Sequence, residues 1–130
     1  MILEVLLAMT LWAECRGEPL EGKMAVASVI VNRASQRGTD YHTEIMRPYQ
    51  FSCWNGYRGK HRMMQAYNKG QMIGPAWKEC KLVARAMMDG SLPKTKWNHY
   101  HNPDKCNPRH AKEYKNKKVI GHHLFGRIGK

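Results

Sequence analysis

The stretch ILEVLLAMTLWAECRGEPLEGKMAVASVIVNR, residues 2–33, reads as two helices and the corner between them. Over Ile2–Cys15, the residues Leu3, Leu7, Thr10, Leu11 and Glu14 recur with a 3.6-residue period and share one helical face. Gly17 and Pro19 end that helix, because a residue before proline is pushed out of the α region. A second helix is expected to open at Pro19–Glu21, since proline is tolerated in a first turn. Met24–Val31 is apolar nearly all round, which marks a helix buried on most sides, ending near Asn32–Gln36 before Gly38.

Beyond this pair the pattern weakens and then recovers. Tyr41–Met46 reads as one or two helical turns stopped by Pro48. Tyr57–Gly74 is basic and punctuated by glycine, so it reads as a loop with a short helix around His61–Asn68. Pro75–Asp89 has proline at its start, apolar residues at helical spacing and Gly90 as its C-cap. Trp97–Asn102 and Val119–Phe125 are β-compatible and suggest a small antiparallel pair. Between them, Lys105–Lys118 reads as a solvated basic loop unless an anion meets it. Helices first and a small sheet last make an α+β pattern, and 130 residues suit one domain, 1–130.

Charge narrows the partners. Twenty-two Lys and Arg against ten Asp and Glu give +12, which calls for a polyanion: nucleic acid, anionic lipid or an acidic polysaccharide. No run approaches the ~18 apolar residues of a membrane span. Met1–Ala13 lacks the basic start and cleavage site of a signal peptide, so synthesis in the cytoplasm is expected. The four cysteines form no C-x-x-C pair and read as reduced thiols, with Cys53–Cys106 the pair expected on oxidation. The histidine pairs His99/His101 and His122/His123 lack a metal-site spacing, so no metal or other cofactor is expected.

Acids are scarce enough to consider one by one. Nine of the ten fall where an exposed face or loop would carry a solvated charge. Glu14 instead extends the Leu3–Leu7–Leu11 stripe and sits in the last turn of its helix. Desolvation and the negative end of the helix dipole both push its pKa upward, as a general acid requires. Pairing with Arg16 or another cation is the competing structural role. Glu18 lies four residues on, a spacing that would suit a two-carboxylate glycosidase on an unbroken helix. Gly17 and Pro19 break that helix, leaving Glu18 as a secondary acid, a cap for the second helix or a partner for Arg33.

The segment Ala13-Glu14-Cys15-Arg16-Gly17-Glu18-Pro19, then Glu21-Gly22-Lys23-Met24-Ala25-Val26-Ala27 and Val31-Asn32-Arg33, resembles the SleB-type cell-wall hydrolase family. That family comprises the spore-cortex-lytic hydrolases and their phage relatives. Tyr49-Gln50-Phe51-Ser52-Cys53-Trp54, His99-Tyr100-His101-Asn102-Pro103 and Ile120-Gly121-His122-His123-Leu124-Phe125 match further family motifs in order. The resemblance implies a lysozyme-like, lytic-transglycosylase-like α+β fold that cleaves the MurNAc–GlcNAc β-1,4 bond of peptidoglycan and leaves 1,6-anhydro-MurNAc ends. It places the catalytic acid/base on Glu14, and one carboxyl group suffices for that chemistry. Gln50, Ser52 and Asn102 are then expected as polar sugar contacts. Phe51, Trp54 and Tyr100 are expected as flat platforms, with core packing as the alternative. His123 matches the closing histidine, either bonding a cleft residue or fixing the last strand.

The chain departs from the family in Cys15, which replaces a small alanine, and in the basic 57–74 stretch. A bare, leaderless, basic domain without a separate wall-binding domain resembles a phage endolysin. Such a protein is made in the host cytoplasm, released by a holin to the periplasmic wall, and monomeric. Its partners would be peptidoglycan glycan strands and the anionic envelope, not nucleic acid. The competing readings are a muramidase that hydrolyses with Glu14 and Glu18, and a small basic nucleic-acid-binding protein using Lys105–Lys118. No helix-turn-helix, zinc-finger or RNP pattern supports the latter.

Overall fold

The computed structural model describes residues 2–129. Its helices are α1 (Leu3–Cys15), α2 (Leu20–Arg37), α3 (Tyr41–Met46), α4 (Gly56–Asn68) and α5 (Gly74–Asp89). Its strands are β1 (His99–His101), β2 (Lys115–Ile120) and β3 (His123–Arg127). Short 3₁₀ turns occupy Ser52–Trp54 and Arg109–Glu113. This mainly helical α+β arrangement agrees with the expected fold class.

α1 is the central helix. A one-sided stripe was expected, yet Leu7, Ala8, Met9, Thr10 and Leu11 are buried consecutively. The reason is tertiary: α2, α3, α5 and the Ser52–Trp54 turn all pack on α1, so both of its faces are covered. Thr10 is tolerated there because its Oγ1 donates to the Leu6 carbonyl at 2.8 Å and accepts the Trp54 indole N–H at 2.8 Å. α2 ends at Gly38, whose φ of +65° lets its N–H reach back to the Ala34 and Ser35 carbonyls. Asp40 caps α3 by accepting the Thr43 N–H. In that helix Glu44 is buried between Arg37 and Arg47, with Thr39 donating to it. Glu18 is buried too, so two of the nine acids expected as solvated charges are instead enclosed by partners that satisfy them.

Two segments depart from expectation. α4 is a thirteen-residue helix where a loop with a short helix was expected. Its apolar residues Met63, Met64 and Ala66 pack on the core, and that burial offsets the cost of Gly56 and Gly59. The sheet has three strands in the order β1-β3-β2, all antiparallel, rather than two. Val119–Phe125 is no single strand: Gly121 and His122 form a two-residue turn between Ile120 and His123. Residues 115–118, expected in a solvated loop, belong to β2. An edge strand needs only backbone pairing, and exposed lysines are usual on such an edge. A bulge near Asn116 (φ +55°) bends β2, and the Trp97 indole bonds the Asn116 carbonyl at 2.8 Å.

All four cysteines are free thiols, in agreement with the reduced state expected. Cys106 is exposed after β1, whereas Cys53 is half-buried in the turn before α4. Burial raises the thiols of Cys15 and Cys53, the latter to about 12, which leaves them unreactive.

Candidate active site

The α1–α2 corner carries the site. α1 ends at Cys15, which places Glu14 in its final turn, half-buried where the helix meets the sheet. Two cavities meet at this residue. One, of about 450 Å³, runs along Ala13–Glu18 to Asn102, Lys105, His122 and His123. The other, of about 350 Å³, is lined by Ala13, Glu14, Ser52, Cys53, Gly59, Arg62 and Met63. Ala13 and Glu14 line both, so Glu14 lies between the two parts of this groove.

Glu14 is held without being neutralised. The Tyr100 hydroxyl donates to Glu14 Oε1 at 2.6 Å, and no cation forms an ion pair with Glu14 among the described residues. Burial raises the Glu14 pKa above the usual carboxylate value, and the Tyr100 bond and the Arg33 charge only partly offset it. Burial and the adjacent Glu14 push the Tyr100 phenol well above its ordinary range, so it remains a neutral donor. The result is a carboxyl that keeps its proton nearer neutrality and has a fixed orientation, the properties of a general acid.

The Asn32-Arg33 pair of α2 places Tyr100. Asn32 Nδ2 bonds the carbonyls of Thr95 (3.0 Å) and Trp97 (2.7 Å), and Arg33 Nε bonds the Asn98 carbonyl (2.8 Å). The chain entering β1 is thus pinned to α2, and Tyr100 follows two residues later. Tyr100→Phe is expected to lower kcat about tenfold through loss of carboxyl orientation. Because the lost bond favoured the carboxylate, the high-pH limb of the rate profile should move to higher pH. A pH–rate series on both proteins checks this, and an unchanged limb would refute it.

Glu18 serves the scaffold. Its Oε1 accepts the backbone N–H of His122 at 2.7 Å, and its Oε2 meets His122 Nδ1 at 2.7 Å. His123 Nδ1 lies 3.3 Å from Oε1 but makes no hydrogen bond. Burial works to raise the Glu18 pKa, yet the two His122 bonds and the nearby His123 hold it below the usual value. Its hydrogen bond to Glu18 raises that of His122 in turn. The carboxylate therefore fastens the β2–β3 turn to the α1–α2 corner, and Arg33, one of the alternative partners considered for it, bonds Gln50 and Asn98 instead.

This pair gives stability a pH window. The His122 contribution is complete below about pH 6.5 and lost as pH rises through its raised folded pKa. That of Glu18 is complete above about pH 4.5 and lost as pH falls through its lowered one. The melting-temperature gap between wild type and His122→Ala should therefore be widest from pH 4.5 to 6.5 and shrink above it. A gap that widened toward pH 9 would refute this.

The other expected site residues divide. Asn102 and His123 line the larger cavity and Ser52 the smaller. Gln50 was expected to face the sugar, but its Oε1 accepts from Arg33 at 2.9 Å and it lines neither cavity. Phe51 is 1% exposed and Trp54 5%, so both are core residues rather than open platforms. Tyr100 likewise presents its hydroxyl to Glu14, with its ring against His123 and Phe125. Lys105, Arg62 and His122 were missed. The Gly121-His122 turn was the available signal for His122, and the basic run for Lys105.

Residues 17–126 match the family model described as Cell Wall Hydrolase. The match begins three residues after Glu14, whose assignment rests on its burial and on the groove around it. No curated protein matches the chain. Among solved structures, the chain is similar to the catalytic domain of the germination-specific lytic transglycosylase SleB from Bacillus anthracis. That likeness has 25% identity and a TM-score of 0.68, over 95% of this chain and 93% of the other. The catalytic domain of the Bacillus cereus SleB protein shares the fold at 23% identity and a TM-score of 0.66, over 95% and 88%. With most of its length matched by the family model, the chain belongs to the cell wall hydrolase family.

Proposed function

We propose that the chain is a peptidoglycan lytic transglycosylase in which Glu14 is the single acid/base. The observation that carries this reading is the half-buried Glu14, which lines both cavities and whose carboxyl is held by Tyr100. Protonated Glu14 gives its proton to the glycosidic oxygen between MurNAc and GlcNAc as the C1–O bond breaks. The carboxylate so formed takes the proton of the MurNAc C6 hydroxyl, whose oxygen bonds C1. No water is consumed, and the product end is a 1,6-anhydro sugar.

Hydrolysis assisted by Glu18 is the second reading. It is disfavoured because both Glu18 oxygens already face His122, leaving no carboxylate to direct a water molecule. Mass spectrometry of the muropeptides separates the two, since anhydro ends are one water lighter than reducing ends. Reducing ends alone would reject transglycosylation.

In the same reading the domain is a phage endolysin, reaching the wall through a holin-type pore. The +12 charge supports attraction to an anionic envelope. Lysis of purified sacculi should then slow several-fold between ~50 and ~300 mM salt as that attraction is screened. A rate independent of salt would count against it.

A further inference from the structure

The two halves of the groove differ in their polar inventory. The smaller cavity holds one cation, Arg62, among Ser52, Cys53, Gly59 and Met63. The larger presents donors. Asn102 Oδ1 accepts the Asp104 N–H at 2.9 Å, and its Nδ2 has no partner among the described residues. Lys105 Nζ likewise has neither a hydrogen bond nor an ion pair among them. With Nδ1 engaged on Glu18, a charged His122 keeps its Nε2–H free. Arg16 flanks the same cavity, its guanidinium 4.0 Å over the Trp12 ring with one nitrogen on the Trp12 carbonyl.

Three of the four carboxylate oxygens that line this side are already engaged. Both Glu18 oxygens face His122, Glu14 Oε1 accepts the Tyr100 hydroxyl, and Asp104 adjoins Lys105 without lining the cavity. A neutral sugar offers donors and acceptors alike. A site that offers donors and positive charge suits a group that only accepts and carries negative charge. In peptidoglycan that group is a carboxylate of the stem peptide carried by N-acetylmuramic acid.

We propose that Asn102, Lys105 and His122 form a carboxylate site for the stem peptide, so that the larger cavity takes the peptide-bearing sugar. This inference rests on the peptidoglycan reading above and adds selectivity for substituted over uncharged strands. It also orients the glycan, with the peptide-bearing residue on the His122 side of Glu14 and the neighbouring sugar beside Ser52.

The test uses soluble peptide-bearing strands free of wall phosphate polymers, so that phosphate cannot be the anion recognised. They are compared with the same strands after carbodiimide and ammonia have turned the stem carboxylates into carboxamides. At ~300 mM salt, where distant charges are screened, wild type should show kcat/KM about tenfold higher on the untreated strands. Lys105→Gln should bring that ratio down to about twofold. Lys117→Gln removes the same charge from exposed β2, outside the cavity, and should leave the ratio at its wild-type value. Equal wild-type rates on the two substrates, or equal effects of the two variants, would overturn the proposal while leaving peptidoglycan cleavage intact. Failure to cleave either substrate would overturn the peptidoglycan reading itself.

Discussion

Glu14→Gln is expected to abolish lysis while leaving the fold intact and more stable at neutral pH. The activity loss should reach at least about 10²-fold, because the amide can neither give nor take the transferred proton. The fold survives because the amide oxygen still accepts the Tyr100 hydroxyl now bonded to Glu14 Oε1. Stability rises for a reason of sign. Burial raises the folded-state pKa of Glu14, so the folded protein retains a proton that the unfolded chain has lost. Ionising Glu14 therefore costs stability as pH rises from about 4.5 through the folded pKa, and the cost persists at pH 7. Glutamine carries no charge and no such cost. Thermal unfolding should show a higher midpoint for the variant at pH 7 and none of that advantage below pH 4. Lysis retained above a few per cent would show that Glu14 is the wrong residue.

Gly121→Ala is expected to destabilise the fold strongly. Gly121 has φ +59°, and a Cβ there would lie 2.6 Å from Glu18 Oε1 and 3.0 Å from Pro19 Cδ. The oxygen it would strike is the one that accepts the His122 N–H, so the turn must lift off the α1–α2 corner. Backbone strain and the lost charge-assisted bond together cost about 2–3 kcal/mol. For a chain of this size that is a fall of roughly 8–12 °C in melting temperature. Activity should fall with it, since His122 and His123 line the groove beside Glu14. Gly38→Ala is the control. Its φ is +65°, but nothing lies within 4 Å of the added carbon, so only the strain of about 1 kcal/mol remains. If the two variants melted together, the approach of Gly121 to Glu18 would have no energetic weight.

Most of the helical frame could be read directly from residue order. α1, α2 and α5 have apolar spacing over many residues, and Pro75, Gly38 and Gly90 mark their boundaries. These are local properties of the chain. α4 could not be read this way, because its basic, glycine-containing surface masks the short apolar face of Met63, Met64 and Ala66. β2 was hidden for the opposite reason. Its lysines carry no alternation, and pairing with β3 depends on backbone groups that every residue has.

In the site, Glu14 stood out in the sequence because an acid at the end of an apolar stripe contradicts its surroundings. That contradiction is visible wherever periodicity is. Which partners surround it was not visible, because they come from distant elements. Tyr100 is 86 positions away and His122 104 positions from Glu18. Chain order supplied the helices, the break at Gly17–Pro19 and the one anomalous carboxyl. Only three-dimensional packing could assign Glu18 to the hairpin, bury Phe51 and Trp54, and gather Asn102, Lys105 and His122 on one side of Glu14. Local periodicity encodes which face of an element is covered, whereas the identity of what covers it depends on contacts that no short stretch contains.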